Sequence, residues 1–293
     1  MEKKIGMLVN TQKKGALDMA NRLVQWGKKK GIVFLFPPHE ASILGVQATP
    51  DDVWKSTIDF AVVIGGDGTF LRASRYILNH SISLYGINLG HLGFLACGKP
   101  EEAEADLEQI LREEYALQQH RILEGIIWRE GRRKHTLYAL NDLVLTKGAF
   151  ARVITIEIRI DNRYFNMLPA DGVIVSTPTG STAYALSAGG PIVPPHVPCM
   201  VLAPICAHTL YARPVIVGEN DVISLIPRGT HRDLMLTQDG QLGYEILPGD
   251  RIELSLSRDK VVNVVTLPQR TYFDLLQEKL KWGQGIERNE NKE

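Results

Sequence analysis

The hydrophobic pattern of this chain changes period near residue 120, and that break constrains the fold more than any other feature. Before it, short apolar runs at 5–9, 32–36, 60–64 and 83–87 alternate with segments of helical period. One such segment, 16–29, places Leu17, Ala20, Val24 and Gly27 on one face; another, 69–79, does so with Phe70, Ala73 and Ile77. Continuous apolar strands between helices are the mark of a parallel sheet covered on both sides. A charged helix is expected over 101–113, with Glu101, Glu102, Glu104, Asp106 and Glu108 outermost. After the break, 153–161 alternates strictly, Ile154, Ile156, Ile158 and Ile160 against Thr155, Glu157, Arg159 and Asp161, up to a turn at Asp161-Asn162-Arg163. Ile252, Leu254 and Leu256 repeat the alternation, and 123–128 with 134–140 reads as a hairpin across Glu130-Gly131. These are half-buried strands of antiparallel sheet. An α/β half followed by a β-rich half is the expected architecture, closed by an amphipathic helix over 272–280 and a polar tail over 287–293.

A chain of 293 residues has room for two domains. Its 33 basic and 33 acidic residues cancel, which argues against non-specific nucleic-acid binding through net charge. The cysteines Cys97, Cys199 and Cys206 are too scattered for a disulfide framework, and buried, reduced thiols are expected. The eight histidines lack zinc-ligand spacing. The first apolar run is too short for a signal peptide, and the oiliest stretch, 199–203, is far below membrane-span length. A cytoplasmic protein without membrane or nucleic-acid partners is the expectation.

Gly65-Gly66-Asp67-Gly68-Thr69 directly follows the strand 60–64 and leads into a helix. Open α/β sheets bind ligands at the carboxyl ends of their strands. Glycines there let the backbone approach a ligand closely, and the N–H groups of a helix start attract phosphate. Asp67 is out of place in such a turn, because phosphate repels a carboxylate. Two roles account for it: an Asx hydrogen bond within the turn, or a general base drawing a proton from an attacking hydroxyl. The turn matches neither the P-loop nor the dinucleotide fingerprint, and no protein-kinase catalytic loop or nucleophile elbow occurs elsewhere.

Two further clusters carry polar chemistry. In the segment 171–184 an apolar strand runs into Ser176, Thr177, Thr179, Ser181 and Thr182, with Gly180 among them. Five hydroxyls at a helix start either cap the backbone or bind a polar ligand. Asn141-Asp142 interrupts the apolar run 138–145. Either the strand kinks there, or an amide and a carboxylate are placed for ribose hydroxyls.

These motifs resemble those of bacterial NAD kinases, in the same order. The match comprises the glycine turn, Gly86-Ile87-Asn88-Leu89-Gly90-His91-Leu92-Gly93-Phe94-Leu95, Asn141-Asp142, the segment 177–191, His208-Thr209-Leu210-Tyr211-Ala212-Arg213-Pro214 and Asp239-Gly240-Gln241. The resemblance spans roughly residues 3 to 270 and is most specific in the 177–184 and 86–95 segments. It implies a Rossmann-like α/β domain, residues 1–120 and 260–293, carrying the glycine turn, and a C-terminal β-sandwich, 121–259, that binds the dinucleotide. The activity implied is phosphoryl transfer from ATP, or another donor, to the adenosine 2′-hydroxyl of NAD, giving NADP, with Mg²⁺ or another divalent cation. By the same resemblance Asp67 is the general base, and Gly66 and Gly68 belong to the diphosphate-contacting turn. Asn141 and Asp142 hold the adenosine ribose, and Asp171, Thr182, Ala183, Tyr184 and Ser187 complete the dinucleotide pocket. Arg72 and Arg152 stand at phosphate-contacting positions, Gln241 at a further contact, and a homodimer or homotetramer is implied. Leu168-Pro169-Ala170 lacks the basic residue that some members carry before the aspartate, which leaves NAD against NADH open. Two rivals differ in what they require. A lipid kinase with the same glycine turn needs a membrane-seeking surface, and a non-catalytic dinucleotide sensor needs no carboxylate at 67.

Overall fold

Four parallel strands, β1 (Lys3–Val9), β2 (Ile32–Leu35), β3 (Phe60–Gly65) and β4 (Ser83–Asn88), lie in the spatial order β2-β1-β3-β4. Helices α1 (Lys14–Lys30), α2 (Pro38–Leu44), α3 (Asp51–Thr57) and α4 (Asp67–Ile77) alternate with them, and α5 (Ala103–Leu111) follows. The strand order reverses between β1 and β3, and the carboxyl ends flanking such a switch point are where open α/β sheets bind ligands. The computed structural model describes residues 3–58, 60–90, 93–148, 153–229 and 233–282. Met1–Gln118 with Asn263–Glu293 forms one compact unit and Gln119–Val262 a second.

In the first unit the buried face of α1 is Ala16, Met19, Ala20, Leu23, Trp26 and Gly27. It is turned from the expected stripe, so that Leu17 and Val24 lie half-buried on its margin. The helices α2 and α3 were not foreseen: each has seven residues, too few to display a helical repeat. Asp106 is not on the outer face of α5. It is 3% exposed, and accepts hydrogen bonds from Tyr85 Oη at 2.5 Å and Arg270 Nη1 at 2.7 Å. Arg270 also pairs with Glu102. A partner 164 residues away leaves no trace in local periodicity.

The second unit is an antiparallel β-sandwich built from β5 (Ala116–Arg129), β6 (Arg132–Ala139), β7 (Asp142–Lys147), β8 (Ile154–Ile160), β9 (Arg163–Ala170), β10 (Gly172–Ser176), β11 (Cys199–Ile205), β12 (Val215–Gly218), β13 (Ile223–Arg228), β14 (Leu234–Gln238), β15 (Leu242–Ile246) and β16 (Arg251–Thr266). One sheet has the order β12-β11-β10-β7-β14-β15. Its inward residues Leu143, Leu145, Val173, Val175 and Met200 share a core with Ile156, Ile158, Leu225 and Leu254 of the other sheet. Its outward residues Val144, Ile174, Val201 and Ala203 pack beneath Ala185 and Val193. Period-two alternation thus gives this sheet two apolar faces, and the outer one seats a 3-10 turn (Thr179–Thr182) and α6 (Tyr184–Ser187). Glu157, expected to face water, is 4% exposed, because Arg159 and Arg228 both bond its carboxylate.

Strand β16 begins in the second unit and ends in the first, where Asn263 and Val264 pair with Ser83 and Leu84 of β4. The final helix α7 (Tyr272–Leu280) opens with a capping box between Thr271 and Asp274. Cys97 and Cys199 are buried free thiols as expected, whereas Cys206 is exposed, in a positive-φ position at the end of β11. No helix among the described residues is long and apolar enough to cross a membrane. Arg152, His91 and the tail at 287–293 lie outside the described residues.

Candidate active site

In the first unit the glycine turn sits at the carboxyl end of β3, next to the switch point. Gly66 caps α4 and Asp67 is its first residue, two positions earlier than the apolar repeat predicts. A carboxylate in the first helical turn is favoured by the helix dipole. Its hydrogen bonds do not close an Asx turn. They reach forward to the backbone N–H groups of Phe94 (3.0 Å), Leu95 (3.2 Å) and Ala96 (3.1 Å). Gly93 makes that approach possible, since a Cβ there would lie 1.9 Å from Asp67 Oδ1. An ionised carboxylate has about four acceptor directions, so three amides fix Asp67 and leave one direction for a further donor. The loop bearing those amides is itself tied back to β4, through Asn88 N–H to Gly98 O and Gly98 N–H to Gly86 O, both 2.8 Å.

Gly68 is exposed on the first turn of α4. Arg72, one turn further along, donates to the carbonyl of Val9 (2.9 Å) and to Glu40 Oε1 (2.8 Å). Glu40 is 1% exposed, so this pair binds α4 to β1 and α2. The amides at 94–96 and the Glu40 carboxylate were not singled out from the sequence. Gly93, in the specific 86–95 motif, was the signal for the first, whereas nothing local announces the second.

In the second unit the run 138–145 is not one strand. It breaks at Leu140-Asn141, between β6 and β7, with Asp142 the first residue of β7. Opposite lies the turn Asp239-Gly240-Gln241 joining β14 to β15. Asp239 and Gly240 both have positive φ, 50° and 62°. Asp142 is 5% exposed, and burial, reinforced by the charge of Asp239, pushes its carboxyl up to about 7. Asn141 Oδ1 is buried without a hydrogen-bond partner. A buried acceptor left unpaired carries a cost that a ligand's donor removes.

The hydroxyl-rich segment divides in two. Ser176, Thr177 and Ser181 are fully buried and brace the backbone: Thr177 Oγ1 donates to Leu140 O (2.6 Å), and Ser181 Oγ accepts from Val193 N–H (2.9 Å). Thr179 Oγ1 lies 2.9 Å from Nδ1 of His120, whose pKa burial pushes down to about 4. The other half faces outward. Thr182 and Ala183 are half-buried, Tyr184 and Ser187 exposed, while Ala185 anchors the segment at 0% exposure. Asp171 pairs with Lys147 across the β10–β7 ladder, Oδ1 to Nζ at 3.0 Å. A cation therefore stands beside the aspartate although 168–170 supplies none. Gln241 is exposed at its turn.

The chain has counterparts among known proteins. The ATP-NAD kinase N-terminal domain matches residues 5–115, and the ATP-NAD kinase C-terminal domain matches 140–267. An NAD kinase from Geotalea daltonii is 37% identical over 284 residues, 96% of this chain and 99% of that protein. The chain belongs to the ATP-NAD kinase family. Two solved structures share its fold. Yeast NADH kinase, complexed with NADH, gives a TM-score of 0.89 at 22% identity over 97% of this chain and 89% of that one. An NAD kinase from Archaeoglobus fulgidus, in complex with ATP, gives 0.72 at 24% over 96% and 99%. As an ATP-NAD kinase family member the chain is a phosphotransferase, and its glycine turn and Asn141-Asp142 fall one in each family domain.

Proposed function

We propose that this chain transfers the terminal phosphoryl group of ATP, or of another donor, to the adenosine 2′-hydroxyl of NAD, giving NADP, with Asp67 as general base. The observation that carries the reading is the Asp67 carboxylate, pinned at the carboxyl end of β3 by three amides with one acceptor direction left. The 2′-oxygen attacks the terminal phosphorus, the bond to the bridging oxygen breaks, ADP leaves, and Asp67 takes the hydroxyl proton. Such a transfer asks for positioning and charge neutralisation rather than covalent chemistry.

Asn141 and Asp142 hold the adenosine ribose, the unpaired Asn141 Oδ1 accepting from a hydroxyl. Asp171, Thr182, Ala183, Tyr184, Ser187 and Gln241 line the dinucleotide, which makes the second unit the dinucleotide-binding domain. Gly66 and Gly68 let phosphate approach the start of α4. A divalent cation supplies neutralisation of the phosphate charge. Among the described residues no three His, Cys, Asp or Glu side chains are grouped to hold a metal. A Mg²⁺ ion chelated mainly by the donor's phosphates would need only one or two protein carboxylates. The enzyme acts in the cytoplasm as a homodimer or homotetramer, which light scattering on the purified protein tests.

The deciding assay mixes purified protein with NAD, Mg²⁺ and either ATP or polyphosphate, and measures NADP. Formation of NADP with at least one donor is expected; NAD binding with no product from any donor would leave a dinucleotide sensor instead. Asp67→Asn is expected to lower kcat by at least about 10²-fold with NAD binding retained. Wild-type turnover in that variant removes Asp67 from the mechanism.

A further inference from the structure

The turn at residues 140–142 has every backbone polar group accounted for. The N–H groups of Leu140, Asn141 and Asp142 all donate to the Asp239 carboxylate, at 3.3, 2.8 and 3.3 Å. The three carbonyls are taken as well: Leu140 O by Thr177 Oγ1 (2.6 Å), Asn141 O by Thr177 N–H (2.8 Å) and Asp142 O by Asp239 N–H (3.0 Å). Gly180 closes the far side, where a Cβ would lie 2.2 Å from Asn141 O. With the backbone saturated, the groups of this turn with capacity to spare are side chains, and Asn141 Oδ1 is buried and unpartnered.

Asp239 meets a cost to do this. It is 7% exposed, and its backbone adopts φ 50°, a left-handed conformation that non-glycine residues adopt uncommonly. It also sets a second carboxylate against the buried Asp142. Asp-Gly is a favoured pair for a turn of this conformation, but asparagine or glycine at its first position closes it without setting a like charge against Asp142. What the carboxylate adds is the collection of three successive amides.

We propose that Asp239 is a positioning residue for NAD: its carboxylate fixes the 140–142 turn so that Asn141 and Asp142 face the ribose in a single arrangement. The proposal rests on the reading of Asn141-Asp142 as the ribose-holding pair. Asp239 touches no substrate and acts only through that turn, so its loss weakens capture of NAD while leaving the phosphoryl donor and the chemical step alone.

Two variants grade the effect. Asp239→Gly removes the carboxylate without straining a positive-φ backbone. Asp239→Asn keeps one acceptor oxygen, enough for Asn141 and Asp142 N–H but not Leu140 N–H. The KM for NAD is expected to rise about tenfold in the first and about threefold in the second, because the lost bonds loosen the turn rather than remove a contact to the ligand. The KM for ATP and kcat should stay within about twofold in both, with wild-type melting of the glycine variant unnecessary to the comparison if the asparagine variant folds. An unchanged NAD KM in both variants overturns the proposal. So does a parallel loss of kcat, NAD KM and ATP KM, which marks a merely structural role. Asn141→Ala serves as the control. If it raises the NAD KM and the Asp239 variants do not, Asp239 alone is misassigned; if it leaves the NAD KM unchanged, the ribose reading falls and takes the proposal with it.

Discussion

Asp67 and Asp239 each collect three successive backbone N–H groups, from residues 94–96 and from residues 140–142. The hydrogen-bond pattern is the same and the settings are opposite. Asp67 starts a helix in ordinary geometry, is half-buried and lies at the carboxyl end of a parallel strand. Asp239 sits in a positive-φ turn between antiparallel strands and is nearly closed off from water. A carboxylate that holds a loop by its amides becomes reactive only where an acceptor direction remains open toward solvent and substrate. Where the site is closed, the same bonds serve to hold other side chains still. On the proposed roles, exposure and surroundings, not the bonding pattern, separate Asp67 as base from Asp239 as brace.

The sharpest way to break this distinction is to neutralise each carboxylate in the same manner. Asp67→Asn and Asp239→Asn lose one charge apiece and keep one acceptor oxygen. The first is expected to cost at least about 10²-fold in kcat, the second to leave kcat within about twofold. Comparable losses of kcat in both variants, measured at saturating NAD and ATP, would show that the two sites do not differ in kind.

A smaller effect tests how tightly the loop must fit its carboxylate. A Cβ at Gly93 would fall 1.9 Å from Asp67 Oδ1, whereas one at Gly66 meets nothing within 4 Å. Gly93→Ala therefore has to displace the Asp67 carboxylate or the loop, and a displacement of about 1 Å at a reacting group costs up to about 10²-fold in rate. We expect a loss of about 10- to 50-fold in kcat. Gly66→Ala should melt with the wild-type protein, so any rise in its KM for ATP reports phosphate approach to that glycine rather than damage to the fold. Equal melting and equal kcat for Gly93→Ala and wild type would mean that the Asp67–loop contact is dispensable.

The two sites were not equally legible in the sequence. The glycine turn after an apolar strand pointed to the first candidate site, and even its odd residue could be named, because Asp67 and its strand are adjacent in the chain. Its three donors lie 27 to 29 residues away, and only the glycine at 93 hinted at them. In the second site Asn141-Asp142 stood out as polar residues in an apolar run, and the kink reading proved to be the local structure. Nothing near them pointed to Asp239, 97 to 99 residues on. The same limit hid Asp106 and Glu157, whose charged partners come from other elements. Period and turn chemistry report what a residue's neighbours in the chain demand; a buried charge is explained by a partner that only the fold supplies.

The smallest expected effect concerns the stability cost of keeping Asp142 beside Asp239. Burial and the neighbouring charge raise the Asp142 carboxyl to about 7 from the ordinary 3.8, so the fold favours its protonated form. A group raised in the folded state stabilises it fully below its unfolded pKa, and that contribution is lost as pH rises through the folded value. For Asp142 the loss runs between about pH 4 and pH 7. Asp142→Asn, neutral at every pH and close in shape, should therefore melt with wild type near pH 4 and a few degrees above it at pH 8. A melting difference for Asp142→Asn that shrinks as pH rises would reverse the sign and refute the account of Asp142 as a carboxyl whose protonated form the fold favours.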